Sequence, residues 1–426
     1  MTKTNLSIDG ERFKINGQFT YSEIEGSNSS AHGLLMNARF IQGIFDDKSG
    51  RERYKRFGFD CFDPEENTNR LISALPDWYK YGLRAFTVGL QGGGPCFTIS
   101  NDTIDNNPFG EDGKALDPDY AVRMDRLIRG ADDCGMVVIV SYFYYAQAKR
   151  IRDDAARIEA VRTASRFLKK GGYTNVIIEI ANEHDISPFA SSPNLYNAES
   201  IMELIKLAQV ESGGLPVGCS GGGGYAHEGI SQVSDVILIH GNGQTRQAYY
   251  NLIQRAKEYS PGKPVVCNED SQAIGQLAVA YRTCTSWGYY NNTTKQEPPA
   301  DWGVTLGEDC YFAYRMAKGI GIKVPEILEE DQYYLQGLEP STQYVGKRWI
   351  RLASLYPETI DWVDFYRNGI RVYTVYDEPF TLYYRSNWYQ HPYLTQYDDR
   401  EWKAVIHLRN GKVIEKLWNS ETKDRY

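Results

Sequence analysis

The chain has 426 residues, 42% hydrophobic and 24% charged, which is ample for a core and for more than one domain. Its formal charge is −8 with no basic run, which argues against nucleic acid as a partner. Seven scattered cysteines without a C-x-x-C pair suggest neither a disulfide framework nor a zinc site, and no stretch is long enough to span a membrane. The amino terminus, MTKTNLSIDGERFKING, lacks the apolar region of a signal peptide, so the expected location is cytoplasmic. A secreted chain stripped of its leader would read the same.

Leu6–Phe19 alternates and turns at Asp9-Gly10 and Asn16-Gly17, which predicts a small hairpin closing the bottom of a barrel. Phe19–Glu25 is the expected first barrel strand. Ser27–Asp47, which carries Asn37 and Arg39, is expected as a long loop over the barrel top. Asn67–Tyr81 has helical spacing, and Leu83–Leu90 is the next strand. Its glycine-rich exit, Gln91–Pro95, has no G-K-[ST] and reads as a turn shaping a cleft rather than a phosphate loop.

The alternation then continues. Helix Asp117–Cys134 precedes strand Met136–Tyr142, whose exit carries Tyr144 and Gln147. Helix Asp153–Lys170 precedes strand Asn175–Ile180. Helix Glu199–Glu211 precedes strand Leu215–Cys219, with Tyr225 beyond it. Strand Asp235–Ile239 exits into His240, helix Gln247–Tyr259 follows, and then strand Val265–Cys267. Helix Ile274–Arg282, strand Thr283–Tyr290 with Trp287, and helix Leu306–Lys318 complete the series. Eight strands alternating with helices imply a parallel sheet closed as a (β/α)8 TIM barrel, residues 1–325.

After about Pro325 the helical period is lost. Short aromatic, β-branched segments appear at Lys347–Leu352, Ile360–Arg367, Ile370–Val375, Phe380–Tyr384, Lys403–Leu408 and Lys412–Leu417. They predict a smaller all-β domain, residues 326–426, as an immunoglobulin-like sandwich. Its Tyr383, Tyr384, Trp388 and Tyr389 could touch glycans; packing on the barrel is the plainer role.

Two strand ends carry the chemistry. NVIIEIANEHD runs from an apolar strand into Asn182 and Glu183, with Glu179 interrupting the apolar run. PVVCNED runs from Val265–Cys267 into Asn268, Glu269 and Asp270. Paired carboxylates facing one cavity suit glycosidic bond cleavage, one protonating the leaving oxygen and the other attacking the anomeric carbon. No H-E-x-x-H or nucleotide fingerprint is present, so neither a metal nor a cofactor is expected.

An Asn-Glu at the fourth strand end and a Glu at the seventh resemble the clan A glycoside hydrolases, such as the family 5 cellulases. FKINGQF resembles the hairpin that opens many of them, and Trp287 in SWGYY resembles the aromatic that floors their sugar site. The resemblance spans about residues 8–320. It implies a retaining mechanism, with Glu183 as acid/base, Glu269 as nucleophile, Asn182 on the sugar 2-hydroxyl and His240 beside the nucleophile. Many members steady the nucleophile with an arginine near the end of the second strand. Here Arg84 starts that strand, and Arg39 is the expected substitute. Tyr144, Gln147 and Tyr225 are candidate subsite residues. The expected substrate is a β-linked oligosaccharide or glycoside. A transglycosylase using the same residues and a non-catalytic carbohydrate-binding barrel are the alternatives, and homo-oligomerisation is left open.

Overall fold

A computed structural model describes residues 3–55, 61–95, 98–271, 273–339, 347–383, 393–394 and 399–420. The chain opens with an antiparallel hairpin set, β1 (Leu6–Asp9), β2 (Arg12–Ile15) and β3 (Gln18–Phe19). Asn16 and Gly17 turn it with φ of 53° and 81°, the left-handed pair that a tight hairpin needs. Phe13 packs with Ala85, Val137, Ile177, Val236 and Val266, so the hairpin seals the end where the parallel strands begin.

Those parallel strands are β4 (Asn37–Arg39), β5 (Ala85–Gly89), β6 (Val137–Phe143), β7 (Val176–Ala181), β8 (Val217–Gly218), β9 (Ile237–His240), β10 (Val265–Glu269) and β11 (Gly288–Tyr289). Each is followed by a helix: Pro64–Lys80, Pro118–Asp133, Asp154–Gly171, Ala198–Ser212, Glu228–Val233, Arg246–Tyr259, Gln276–Thr283 and Glu308–Ile320 respectively. Local chemistry sets the helix starts. The side chains of Asp63, Asp117, Asp153, Asn197 and Thr245 accept from first-turn amides. Gly172, Gly213 and Gly321 end three of the helices in the left-handed conformation.

The strands pair in a six-stranded sheet, ordered β11-β4-β5-β6-β7-β8, and a two-stranded sheet, β10-β9. The continuous closed ladder expected of a barrel is not formed among the described residues. Isolated links cross the seams instead: the parallel bridge Val266–Ser286 on one side, and the Asp235 amide to the Val217 carbonyl at 2.8 Å on the other.

The first strand also differs from expectation. Of Phe19–Glu25, Phe19 ends β3 and the rest is a series of turns in which Tyr21 has φ 67° and Glu23 and Glu25 are exposed. The first parallel strand is β4, inside the stretch expected as a loop, so Arg39 belongs to the sheet. Alternation along the strands puts Val137, Ile139 and Ile177 on the interior face, and Val138, Val140 and Ile178 against the helices. The interior becomes polar toward the strands' C-terminal ends, at Asn37, Thr87, Glu179 and Asn268.

From Tyr333 onward the described strands are all antiparallel. Strands β12 (Tyr333–Gln336), β13 (Lys347–Arg348), β14 (Arg351–Ser354), β15 (Ile360–Arg367), β16 (Ile370–Val375), β17 (Tyr393–Leu394), β18 (Glu401–Leu408) and β19 (Val413–Asn419) follow in order. They form one four-stranded sheet, β16-β15-β18-β19, and the pairs β12-β14 and β13-β17. The described residues therefore show antiparallel β structure with its own core, in which Leu335 and Leu352 of the β12-β14 pair join Phe365, Trp402 and Ile406 of the four-stranded sheet. Phe380 and Tyr383 lie in turns, joined to β14 by the single bridge Arg351–Thr381, so the strand expected there is not formed. Tyr383 packs edge-on to Tyr373 at 4.9 Å; Tyr384, Trp388 and Tyr389 lie outside the described residues. Contacts with the α/β part include the ion pairs Arg351–Glu308 and Arg315–Glu358, and the Gly275 amide on Glu378.

Candidate active site

Glu183 follows the end of β7 by two residues, and Glu269 ends β10. The backbone presents each of them in an unusual way. Glu183 has φ 54°, a left-handed conformation that turns the chain immediately after the strand. Its amide donates to Ser220 Oγ at 3.2 Å. Glu269 follows a register shift against β9 between Cys267 and Glu269, a local irregularity of the kind that re-aims a side chain. The two carboxylates consequently share neighbours. Asn242 Nδ2 donates to Glu269 Oε1 at 2.7 Å and reaches Glu183 Oε1 at 3.4 Å. His240 Nδ1 lies 3.0 Å from Glu183 Oε1 and 3.8 Å from Glu269 Oε2.

Arg39 binds the other side of Glu269. Its Nε is 2.7 Å from Glu269 Oε2, and its Nη2 donates to Asn182 Oδ1 at 2.7 Å. A guanidinium has no acceptor, so the Asn182 amide must turn its oxygen to Arg39, leaving its NH2 for another partner. The Tyr290 ring lies 5.5 Å from the guanidinium centre. Burial works against the charge of Arg39, but the Glu269 and Glu179 carboxylates outweigh it and raise its pKa. His240 behaves alike. Burial pulls its pKa down, and the charge of Glu269 with the hydrogen bond to Glu183 raises it overall. The Glu269 side chain is 6% exposed, whereas that of Glu183 keeps 15%, so the site opens to solvent mainly past Glu183.

One ligand atom each from Glu183, His240 and Glu269 lie within 4.8 Å of one another, near enough to hold a cation. The oxygens of Glu269 are already taken by Arg39 and by the Asn242 amide, and a guanidinium 2.7 Å away opposes a second positive charge. The arrangement suits a pair of reactive carboxylates better than a metal centre.

Five of the expected residues thus come together: Glu183, Glu269, Asn182, His240 and Arg39. Trp287 does not offer a sugar platform. It is fully buried, its indole N–H donates to Asp270 Oδ2 at 2.8 Å, and its ring packs on Phe312 at 5.6 Å and Tyr289 at 6.4 Å. Gln147 lies in the short helix Tyr145–Ala148 with both ends of its amide engaged, by the Asn106 N–H and the Ile104 carbonyl, so it positions a loop. The Tyr144 ring packs at a tilt on Tyr145, 4.6 Å between centroids, and its amide donates to Gln91. Tyr225 packs on His184 and His227, and burial pushes its hydroxyl up to about 12.

Sequence reasoning missed Asn242, although it stands two residues past His240 in a polar strand exit, which was the available signal. It also gave Glu179 no role. A cavity of about 880 Å³, lined by Lys48, Asp117, Lys149 and Arg152 among others, includes none of the site residues, so volume alone is a poor guide here.

No protein-family model matches the chain, and no curated protein does. Solved structures are similar at low identity. A candidate glycoside hydrolase from Bacteroides vulgatus has a TM-score of 0.50 and 12% identity, covering 98% of this chain and 76% of its own. The endo-β-1,4-mannanase of Thermotoga petrophila has a TM-score of 0.44 and 13% identity, covering 90% and 97%. The β-glucuronidase of Parabacteroides merdae has a TM-score of 0.43 and 12% identity, covering 97% and 50%. The chain therefore spans about half the length of that β-glucuronidase. At such identities the likeness to the Bacteroides vulgatus structure is one of fold.

Proposed function

We propose that the chain is a retaining glycoside hydrolase acting on a β-linked oligosaccharide or glycoside, with Glu269 as nucleophile and Glu183 as acid/base. In this reading residues 1–325 are a catalytic (β/α)8 barrel with an irregular ladder, and residues 326–426 are an appended all-β domain. The observation that carries the reading is the short approach of the two glutamates from the ends of β7 and β10. An oxygen of each lies within 4.8 Å of the other, and retention uses carboxyls about 5–5.5 Å apart rather than the wider gap that admits a water.

Glu269 Oε bonds to the anomeric carbon as the glycosidic C–O bond breaks, and Glu183 gives its proton to the departing oxygen. Glu183, now a carboxylate, takes a proton from water, whose oxygen attacks the same carbon and releases Glu269. Arg39 pairs with the nucleophile and orients it. The free NH2 of Asn182 is placed to hold a sugar hydroxyl. The fold shared with the Bacteroides vulgatus protein agrees with this reading.

The test compares wild type with Glu269→Ala on a panel of aryl glycosides, with and without azide. Cleavage of one sugar by wild type, loss of turnover in the variant by several orders of magnitude, and rescue by azide with inverted product are expected. Equal activity of the two proteins overturns the assignment. Transfer of the sugar to an added glycoside instead of water identifies a transglycosylase using the same residues.

A further inference from the structure

Glu179 is a carboxylate in the middle of an otherwise apolar strand, VIIEIA, and it is wholly buried. The reaction above does not use it. Its Oε1 accepts from Asn268 Nδ2 at 2.9 Å, and its Oε2 has no hydrogen-bond partner among the described residues. Oε1 also lies 3.9 Å from His240 Nε2, too far for a hydrogen bond but close for opposite charges. His240 Nε2 likewise has no hydrogen-bond partner among the described residues. The imidazole therefore stands between two glutamates, Glu179 under Nε2 and Glu183 at Nδ1.

The charges around His240 come from several strands. Glu179 belongs to β7, Glu183 follows β7, Glu269 ends β10 and Arg39 ends β4. The Cys219 thiol, just after β8, is near Glu179 but is kept neutral by burial. Three carboxylates thus face one fixed cation. A buried carboxylate is costly unless a positive charge answers it. A second cation on His240 would supply that charge while leaving one glutamate free to carry a proton.

The hydrogen bonds on Glu183 are one-sided. His240 Nδ1 and Asn242 Nδ2 both approach Oε1. We propose that Glu179 is a positioning residue: its carboxylate holds His240 doubly protonated, so that Nδ1–H stays on Oε1 of Glu183 and the transferable proton is confined to Oε2. A neutral imidazole with its lone pair on Nδ1 would instead trap that proton against Oε1, away from the leaving oxygen. Burial lowers the pKa of His240, and the charge of Glu269 with the hydrogen bond and charge of Glu183 raise it overall; the part assigned to Glu179 rests on its place 3.9 Å from Nε2. The proposal rests on Glu183 being the acid/base.

The test reads His240 directly, without substrate, and then follows the pH profile of turnover on the aryl glycoside that wild type cleaves. The protein has six histidines, and His240→Gln identifies the resonance in ¹⁵N spectra of labelled side chains. Both ring nitrogens of His240 are expected to carry protons at pH 7 in wild type. In Glu179→Gln its titration is expected to move to lower pH by about one unit or more. The alkaline limb of kcat/KM should move with it, with KM little changed and activity recovering toward wild type at lower pH. A neutral His240 in wild type at pH 7 overturns the proposal whether or not the variant folds. So does a Glu179→Gln protein whose activity falls equally at every pH, the mark of a merely structural role. Failure of azide rescue at Glu269 would sink the hydrolase reading while leaving the histidine titration intact, so the two are separable.

Discussion

Arg39 Nε lies 2.7 Å from Oε2 of Glu269, and both side chains are almost completely buried. The same guanidinium holds Asn182, so one cation fixes a group from β7's exit and a group from β10. Replacing one partner of such a pair leaves the other charged and unanswered, at a cost of about 3–5 kcal/mol. Arg39→Met is expected to lower the melting temperature and to abolish turnover. Arg39→Lys should fold better yet remain slow, because a point charge cannot span Glu269 and Asn182 together. Unfolding curves and kcat for the two variants check this; an active Arg39→Met would contradict it.

Asn242 reaches both carboxylates with one NH2 group. Hydrogen bonds to charged groups contribute about 1.5–3 kcal/mol, so Asn242→Ala should lower kcat about 10- to 100-fold with little loss of stability. Asn242→Asp, which places a third negative charge between the glutamates, should be worse than Asn242→Ala. A kinetic comparison of the pair decides whether charge, rather than shape, matters at this position.

Burial raises Asp270 from its ordinary 3.8 to about 7, against the hydrogen bonds from Trp287 and Ser271 that favour its charged form. The folded protein therefore holds a proton that the unfolded chain has released across that window. This contribution to stability is complete below the lower value, declines as pH rises, and is gone above about 7. His240, raised from 6.5, has the same sign at higher pH. In urea unfolding of wild type and Asp270→Asn, the advantage of wild type should shrink by up to about 4 kcal/mol between pH 4 and pH 8. A constant difference across that range would disprove the sign.

Gly241 lies against the same carboxylate: a Cβ there would run into Asp270 Oδ2. Asp270 is anchored by Ser271 N at 2.7 Å and Trp287 Nε1 at 2.8 Å, so it cannot easily give way. Gly241→Ala is expected to cost about 1–3 kcal/mol and to impair turnover, because His240 and Glu269 flank the contact. Asp270→Ala in the same chain should recover part of the loss, and additive melting shifts in the double variant would rule the contact out.

The parallel architecture was readable because its helices are long, amphipathic and capped by residues such as Asp63 and Asp153. β4 was not readable: three residues, Asn-Ala-Arg, show neither alternation nor an apolar run, and only partners distant in sequence make them a strand. Glu183 and Glu269 could be found because polarity reverses abruptly at each strand end. Trp287 misled because an indole beside a strand exit looks the same in sequence whether it faces a ligand or Asp270. Gln147 misled similarly, its amide being consumed by backbone at residues 104 and 106. The antiparallel region was legible as strands but not as sheets, since register depends on pairings such as Trp402 with Trp418.

The left-handed backbone at Glu183 sets function against durability. Any residue with a Cβ is strained in that conformation, typically by about 1–3 kcal/mol, and glycine is not. Selection for a robust fold alone would discard the glutamate there. Under the proposed mechanism, its presence there trades scaffold stability for reactivity. A protein engineer wanting an inert, sugar-binding version should therefore place glycine at this position. Alanine would silence the chemistry but keep the strain.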